Sequence, residues 1–222
     1  MTLPMKRVFL LAALLAGVLC CQCHSAKAQA FRWGVKDGVT VSYLVGIDNT
    51  LPRVGFYVGA FAGYDFDNRW ALKLEVNHSE QGASCRPNND GITIDYNYNY
   101  LNIPLLAECG FELGGGHRLT LQAGAQAGIF LLGTYDYLAP SVLGDGKVAG
   151  GGRLNRADFH PVDFGVALGA EWSVGSYALE LRYTLGITQT HDGISNTLNG
   201  YYYISVPDNR NSVFQVGTKF YF

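Results

Sequence analysis

Charge is scarce in this sequence: Asp, Glu, Lys and Arg make up only 15% of its 222 residues. Soluble domains average about 25%, so a surface wholly in water fits poorly. What charge there is leans slightly acidic, at −2 overall. That excludes the basic face a nucleic-acid partner requires. No apolar run reaches the roughly 18 residues of a spanning helix, and no amphipathic heptad or capped helical stretch appears. Histidine and cysteine never take a zinc-type spacing. In GDGKVAGGG (144–152), Lys147 is not followed by the Ser or Thr that a phosphate-binding loop needs. No cofactor and no metal are expected.

The N-terminal 30 residues read as a separate unit. Lys6 and Arg7 precede an unbroken apolar run from Val8 to Leu19, and Ala28-Gln29-Ala30 follows. That is the layout of a secretory signal peptide, and cleavage is expected after Ala30. Cys20, Cys21 and Cys23 also allow a lipidated reading, although Leu19 is bulkier than the small residues expected before a lipidated cysteine. The leader holds Lys6, Arg7 and Lys27 of the 16 basic residues and none of the 18 acidic ones, so residues 31–222 carry a net charge of −5. Only Cys85 and Cys109 remain there. The strand layout puts them at opposite ends of one strand, too far apart for a bridge, and two free thiols are expected.

Glycine (28 residues) and aromatics (13%) suit strands, and apolar side chains alternate along the whole of 31–222. In VDFGVALGAEW, the residues Val162, Phe164, Val166, Leu168 and Trp172 share one face, and Asp163, Gly165, Ala167 and Glu171 the other. Such a period of two marks strands. Eight are predicted, near 32–46, 54–65, 69–79, 96–110, 118–133, 161–173, 177–189 and 211–222. Most exceed the usual five or six residues and match a tilted membrane strand of about 9–11 residues with overhang. Their connections alternate strictly. Asp65–Asn68, Leu113–His117 and Val174–Ser176 are short, whereas 47–53, 80–95, 134–160 and 190–210 are long. Short periplasmic turns, long external loops and an even strand count predict a transmembrane up-and-down antiparallel β-barrel of eight strands in a bacterial outer membrane. A lipocalin-like calyx shares the alternation but turns its aliphatic face inward.

Three tryptophans sharpen this expectation. Trp33, Trp70 and Trp172 all fall at the short-turn end and in the apolar phase, as an interfacial aromatic girdle requires. The sequence ends in QVGTKFYF, where Phe222 joins that girdle. Gln215, Gly217, Phe220 and Phe222 resemble the C-terminal signal of outer-membrane barrels, which implies the barrel-assembly machinery as a partner beside outer-membrane lipid.

GVKDGVTVS (34–42), YLNIPLLAECGF (100–111), VDFGVALGAEW, LELRYTLGIT and VFQVGTKFYF together resemble the porin-like, often PorT-like, outer-membrane β-barrel family of Bacteroidota. The resemblance spans 31–222 and implies fold and location rather than an activity. Asp37 departs from it, because its phase aims a carboxylate at lipid. Either a bulge turns it inward or it sits low enough to reach water. Pro104, which removes a ladder donor, is expected at a bulge.

Eight strands enclose an interior that side chains just fill. The inward phase holds Lys36, Lys73, Glu75, Glu108, Asp163, Glu171, Glu180, Arg182 and Lys219. All but Asp163 crowd the periplasmic half. Buried charges persist only when paired, so an interlocked ionic plug is expected, with Glu108 beside Lys73 and with Glu171 and Glu180 around Arg182. A loosely hydrated polar lumen is the alternative. Enzymatic signals are thin. In NHSE (77–80), His78 and Ser79 are neighbours that a strand points to opposite faces, which spoils a nucleophile–base pair. Tyr201, Tyr202 and Tyr203 mark a loop able to meet an external ligand or protein. Two functions follow: a closed, non-enzymatic envelope protein with contact-making external loops, or a narrow porin-like channel for small solutes.

Overall fold

The architecture comes from a computed structural model that describes residues 31–45, 50–86, 91–141, 146–190, 194–198, 202–206 and 209–222. The predicted leader lies outside the described residues. The strands are β1 (Phe31–Val45), β2 (Thr50–Asp65), β3 (Trp70–Cys85), β4 (Thr93–Gly114), β5 (His117–Pro140), β6 (Lys147–Arg153), β7 (Val162–Val174), β8 (Tyr177–Gly186), β9 (Ile194–Leu198), β10 (Tyr202–Val206) and β11 (Arg210–Tyr221). Eight of them, β1, β2, β3, β4, β5, β7, β8 and β11, close into one antiparallel ring, sealed where β11 pairs with β1. β6 adds to the distal part of β5, from Thr134 onward, and β9 pairs with β10.

Closure removes every edge from the ring, and alternation then sorts side chains into two environments. Leu72, Leu74 and Val76 of β3 stand on the outer surface, while Lys73, Glu75 and Asn77 are buried inside. The same inversion repeats in Phe164, Val166 and Leu168 of β7 and in Leu179, Leu181 and Leu185 of β8. A continuous apolar exterior around a polar interior is the reverse of a soluble fold, and it demands lipid.

The short turns follow from local chemistry. Between β2 and β3, Asp67 Oδ1 accepts from the backbone N–H of Arg69 and of Trp70, both at 2.7 Å. Those bonds, first the one from Trp70, hold its carboxyl below the ordinary aspartate range. Gly114, Gly115 and Gly116 take φ of 86°, 61° and 79° between β4 and β5, a region that disfavours residues with a Cβ.

The long connections are more regular than expected. β3 runs to Cys85, β4 begins at Thr93 and β5 continues to Pro140, so the wall rises into the stretches predicted as loops. The 24 residues of β5 reach about 80 Å along the strand at roughly 3.3 Å each, far more than a tilted strand needs for a 25 Å apolar band. Lys147–Gly152, within the long connection predicted over 134–160, forms most of β6. Pro104 causes no bulge. The β3–β4 register is the same on both sides of it (Leu74 opposite Leu105, Asn77 opposite Asn102), and the ladder skips the intervening positions. The register shifts of β4 against β5 lie instead at Asn99/Tyr100 and Glu112/Gly114. Cys85 and Cys109 are free thiols near opposite ends of the neighbouring strands β3 and β4.

Candidate functional site

The lumen is the site, and its floor is built by one inward level of the wall. Lys36 (β1), Lys73 and Glu75 (β3), Glu108 (β4), Glu171 (β7), Glu180 and Arg182 (β8) and Lys219 (β11) are all nearly or fully buried. Register alone would set like charges side by side, since Lys36 pairs directly with Lys219 and Glu171 with Glu180. Such pairs repel, and the side chains resolve this by reaching across the lumen.

Glu75 is the hub. Its carboxylate takes Arg182 Nη1 at 2.6 Å and Lys36 Nζ at 2.9 Å, with Lys73 at 3.5 Å and Lys219 at 3.6 Å. Arg182 also meets Glu180 at 2.8 Å, and Lys36 meets Glu180 at 2.5 Å. Lys73 meets Glu108 at 2.5 Å, as the sequence predicts. Lys219 bridges Glu171 at 2.7 Å and also contacts Glu180. One expected pairing is corrected. Glu171 does not flank Arg182 but binds Lys219, Lys73, the Tyr221 hydroxyl and Gln122.

Several participants escaped the sequence reading. Gln122 donates to Glu108 and Glu171 and accepts from Arg182. Arg32, in the same phase as Lys36, joins Glu108 to Asp65 at the short-turn mouth. Aromatic faces cover the cations: Tyr57 lies under Lys36 at 5.1 Å, and Phe61 under Lys73 and Lys219 at 5.7 and 5.4 Å, contacts that favour a desolvated cation.

The distal end of the lumen is closed differently. Tyr98, Tyr100 and Phe130 project inward, and Phe159, just after the 3₁₀ turn Arg156–Asp158, stacks on Phe130 with centroids 4.3 Å apart. Three tyrosines in one phase, YNYNY (96–100), were the available signal. Phe159 comes from an aperiodic segment that carried none.

At the opposite rim, Trp33, Trp70 and Trp172 all project outward, each about half exposed. Phe222 stacks on Trp33 at 4.4 Å, and its N–H donates to the Trp33 carbonyl. Gln215 faces inward and is buried, whereas Phe220 lies on the outer face against Tyr177 and Phe222. Gly217 pairs with Gly38 under Tyr57, and a Cβ on Gly217 would come 2.1 Å from both Tyr57 Oη and the Asp37 carbonyl. Asp37 stays on the outer face because the registers of β1 with β2 and β11 run without a shift, and Thr218 donates to it at 2.8 Å. It stands about 10 Å above the Trp33 level, four residues at roughly 3.3 Å along a tilted strand. The bulge considered for it is absent.

His78 faces outward beside Phe56 and Ser79 faces inward near Gln81, so the two are not brought together. Tyr202 and Tyr203 fall on β10, and Tyr201 lies outside the described residues.

The family profile described as "Outer membrane protein beta-barrel domain" matches residues 22–192. Among solved structures, the chain is similar to OprG of Pseudomonas aeruginosa, with 14% identity, 87% of this chain and 96% of that chain covered, and a TM-score of 0.47. It is similar to Neisserial surface protein A at 14% identity, with coverage of 89% and 100% and a TM-score of 0.43. It is also similar to the attachment invasion locus protein of Yersinia pestis at 14% identity, with coverage of 87% and 100% and a TM-score of 0.39. No curated protein matches the chain in sequence.

Proposed function

The chain belongs to the outer membrane protein β-barrel domain family and is an integral barrel of the bacterial outer membrane, and from that premise we propose that it acts as a closed, non-enzymatic envelope protein. In this reading the barrel is an anchor, and the strands and loops rising beyond the membrane make the contacts with an external ligand or protein. The observation that carries it is the ionic network spanning the lumen from β3 to β8, with four bases and four acids interlocked at one level. A solute would have to break several charge-assisted bonds at once, and each bond to a charged group contributes about 1.5–3 kcal/mol. The aromatic cluster above forms a second closure.

Within the family, the motifs quoted above favour the PorT-like, porin-like branch of Bacteroidota. The leader ending at Ala30 would be removed on export, and Gln215, Gly217, Phe220 and Phe222 would be read by the barrel-assembly machinery. Trp33, Trp70 and Trp172 would form the periplasmic girdle. The closed reading is tested by swelling of proteoliposomes in small sugars and amino acids. Swelling no faster than in protein-free vesicles is expected, and size-dependent swelling would make the protein a narrow channel instead.

A further inference from the structure

Between the ionic network and the aromatic cluster lies a cavity of about 30 Å³, lined mainly by inward-facing residues of six strands. Glycines open it. Gly128 on β5, Gly165 on β7 and Gly186 on β8 all line the space, and the last two are direct cross-strand partners. A Cβ on Gly128 would come 3.1 Å from Asn102 Oδ1, and one on Gly186 would come 2.7 Å from the Asn211 carbonyl. A side chain at either position would crowd residues that line the space.

Three oxygens around this space make no hydrogen bond among the described residues: Asp163 Oδ1, Thr184 Oγ1 and Asn211 Oδ1. Their residues are only 9%, 5% and 9% exposed. The other Asp163 oxygen accepts from the Tyr100 hydroxyl at 2.6 Å, and the Asn211 side chain reaches the same hydroxyl, so these two meet at Tyr100 while Thr184 lines the same cavity. Among the described residues no lysine, arginine or histidine lines the cavity. His160, three residues before Asp163, is the basic group that interacts with it electrostatically. The ionic network below is balanced within itself, four bases against four acids, and has no cation left over for Asp163. A buried carboxylate persists when it is paired or coordinates an ion. A water molecule could donate to these oxygens but would not neutralise the charge.

We propose that this cavity binds one small monovalent hard cation of the size of Na⁺, held by Asp163 Oδ1, Thr184 Oγ1 and Asn211 Oδ1. The ligands are all oxygen, the donor type that hard cations select. A single carboxylate balances one positive charge, whereas a divalent ion would leave a surplus in a low-dielectric interior. A water-sized guest needs about 10–15 Å³ measured this way, so the volume suits one ion with at most one water. Among the described residues no group of three or more His, Cys, Asp and Glu side chains could hold a metal, and this set works through neutral oxygens around one acid.

The test is the thermal unfolding midpoint of the refolded protein in micelles, titrated with NaCl against choline chloride at constant ionic strength. Choline is too large to enter. A saturable rise specific to Na⁺ is expected for the wild type, with the apparent affinity falling by about tenfold or more in Asp163→Asn, as removal of a charged partner implies. Thr184→Val, which keeps the carboxylate, should weaken Na⁺ binding by a smaller factor and carries the test if Asp163→Asn does not fold. Equal midpoints in Na⁺ and choline would overturn the proposal, as would an unchanged response in whichever variants fold. Stabilisation by millimolar CaCl₂ that displaces the Na⁺ effect would overturn its monovalent character.

Discussion

Arg182 and Glu75 face each other across the full diameter of the barrel. Their strands, β8 and β3, are four positions apart in either direction around the ring, and two guanidinium nitrogens meet the two carboxylate oxygens at 2.6 and 2.7 Å. A cross-strand bond only reinforces the wall. This one braces opposite walls and occupies the axis between them.

Removing that brace should be costly. Arg182→Ala leaves Glu75 and Glu180 buried with fewer partners, and breaking a buried pair costs about 3–5 kcal/mol. Urea unfolding from lipid vesicles should show a loss of that order. Arg182→Lys should recover only part of it, because an ammonium cannot make the two-pronged contact. Full recovery by lysine would mean that charge alone matters at this position.

Asp37 predicts the opposite sign. Its carboxylate stands on the outer face among Val35, Val39 and Val58, satisfied by one bond from Thr218. A charged side chain on the lipid face is destabilising, by up to about 2–4 kcal/mol for bases and less for acids. Asp37→Val should therefore stabilise the barrel in vesicles by about 1 kcal/mol. A destabilised variant would assign Asp37 a partner in the membrane.

Gly217 separates packing from recognition. The clash of an added Cβ with the Asp37 carbonyl and with Tyr57 involves only the folded barrel. Gly217→Ala should thus refold with lower stability from purified chain in detergent, by about 1–3 kcal/mol. If the purified variant matches wild type while assembly in cells fails, the glycine acts through the assembly machinery alone.

The reach of the wall above the membrane is open to a thiol probe. Cys85 ends β3, fifteen residues beyond Trp70 and clear of the apolar band. Burial, with Asp95 adding to it, pushes its thiol up to about 11, so little thiolate exists at neutral pH. Maleimide at pH 7.5 should leave Cys85 unmodified in the folded protein and label it after denaturation. Rapid labelling of the folded state would mean that the distal strand extension is open.

Much of this was legible in the residues. The period of two in β1, β3 and β8 separated lipid-facing from inward positions, and so placed Lys36, Lys73, Glu75 and Arg182 inside before any geometry was known. Their partners were legible only where neighbouring strands met, as for Lys73 with Glu108 and Arg182 with Glu180, because alternation says which face a side chain takes and not which strand lies across the lumen. Glu171 was therefore assigned to Arg182 instead of Lys219. The distal extension was missed for a related reason. Above the membrane the outer face of β4 carries Asp95, Asn97 and Asn99, so the apolar phase that marks a lipid-facing strand stops while the strand continues. Asp163 and the glycines Gly128, Gly165 and Gly186 were each visible in the inward phase, but that they share one level emerges only from the closed ring.

Single-channel recording from the refolded protein in a planar bilayer tests closure most directly. The interlocked network around Glu75 predicts no conductance steps at any applied voltage in the wild type. Stable, reproducible steps from correctly folded wild-type protein would contradict the closed barrel.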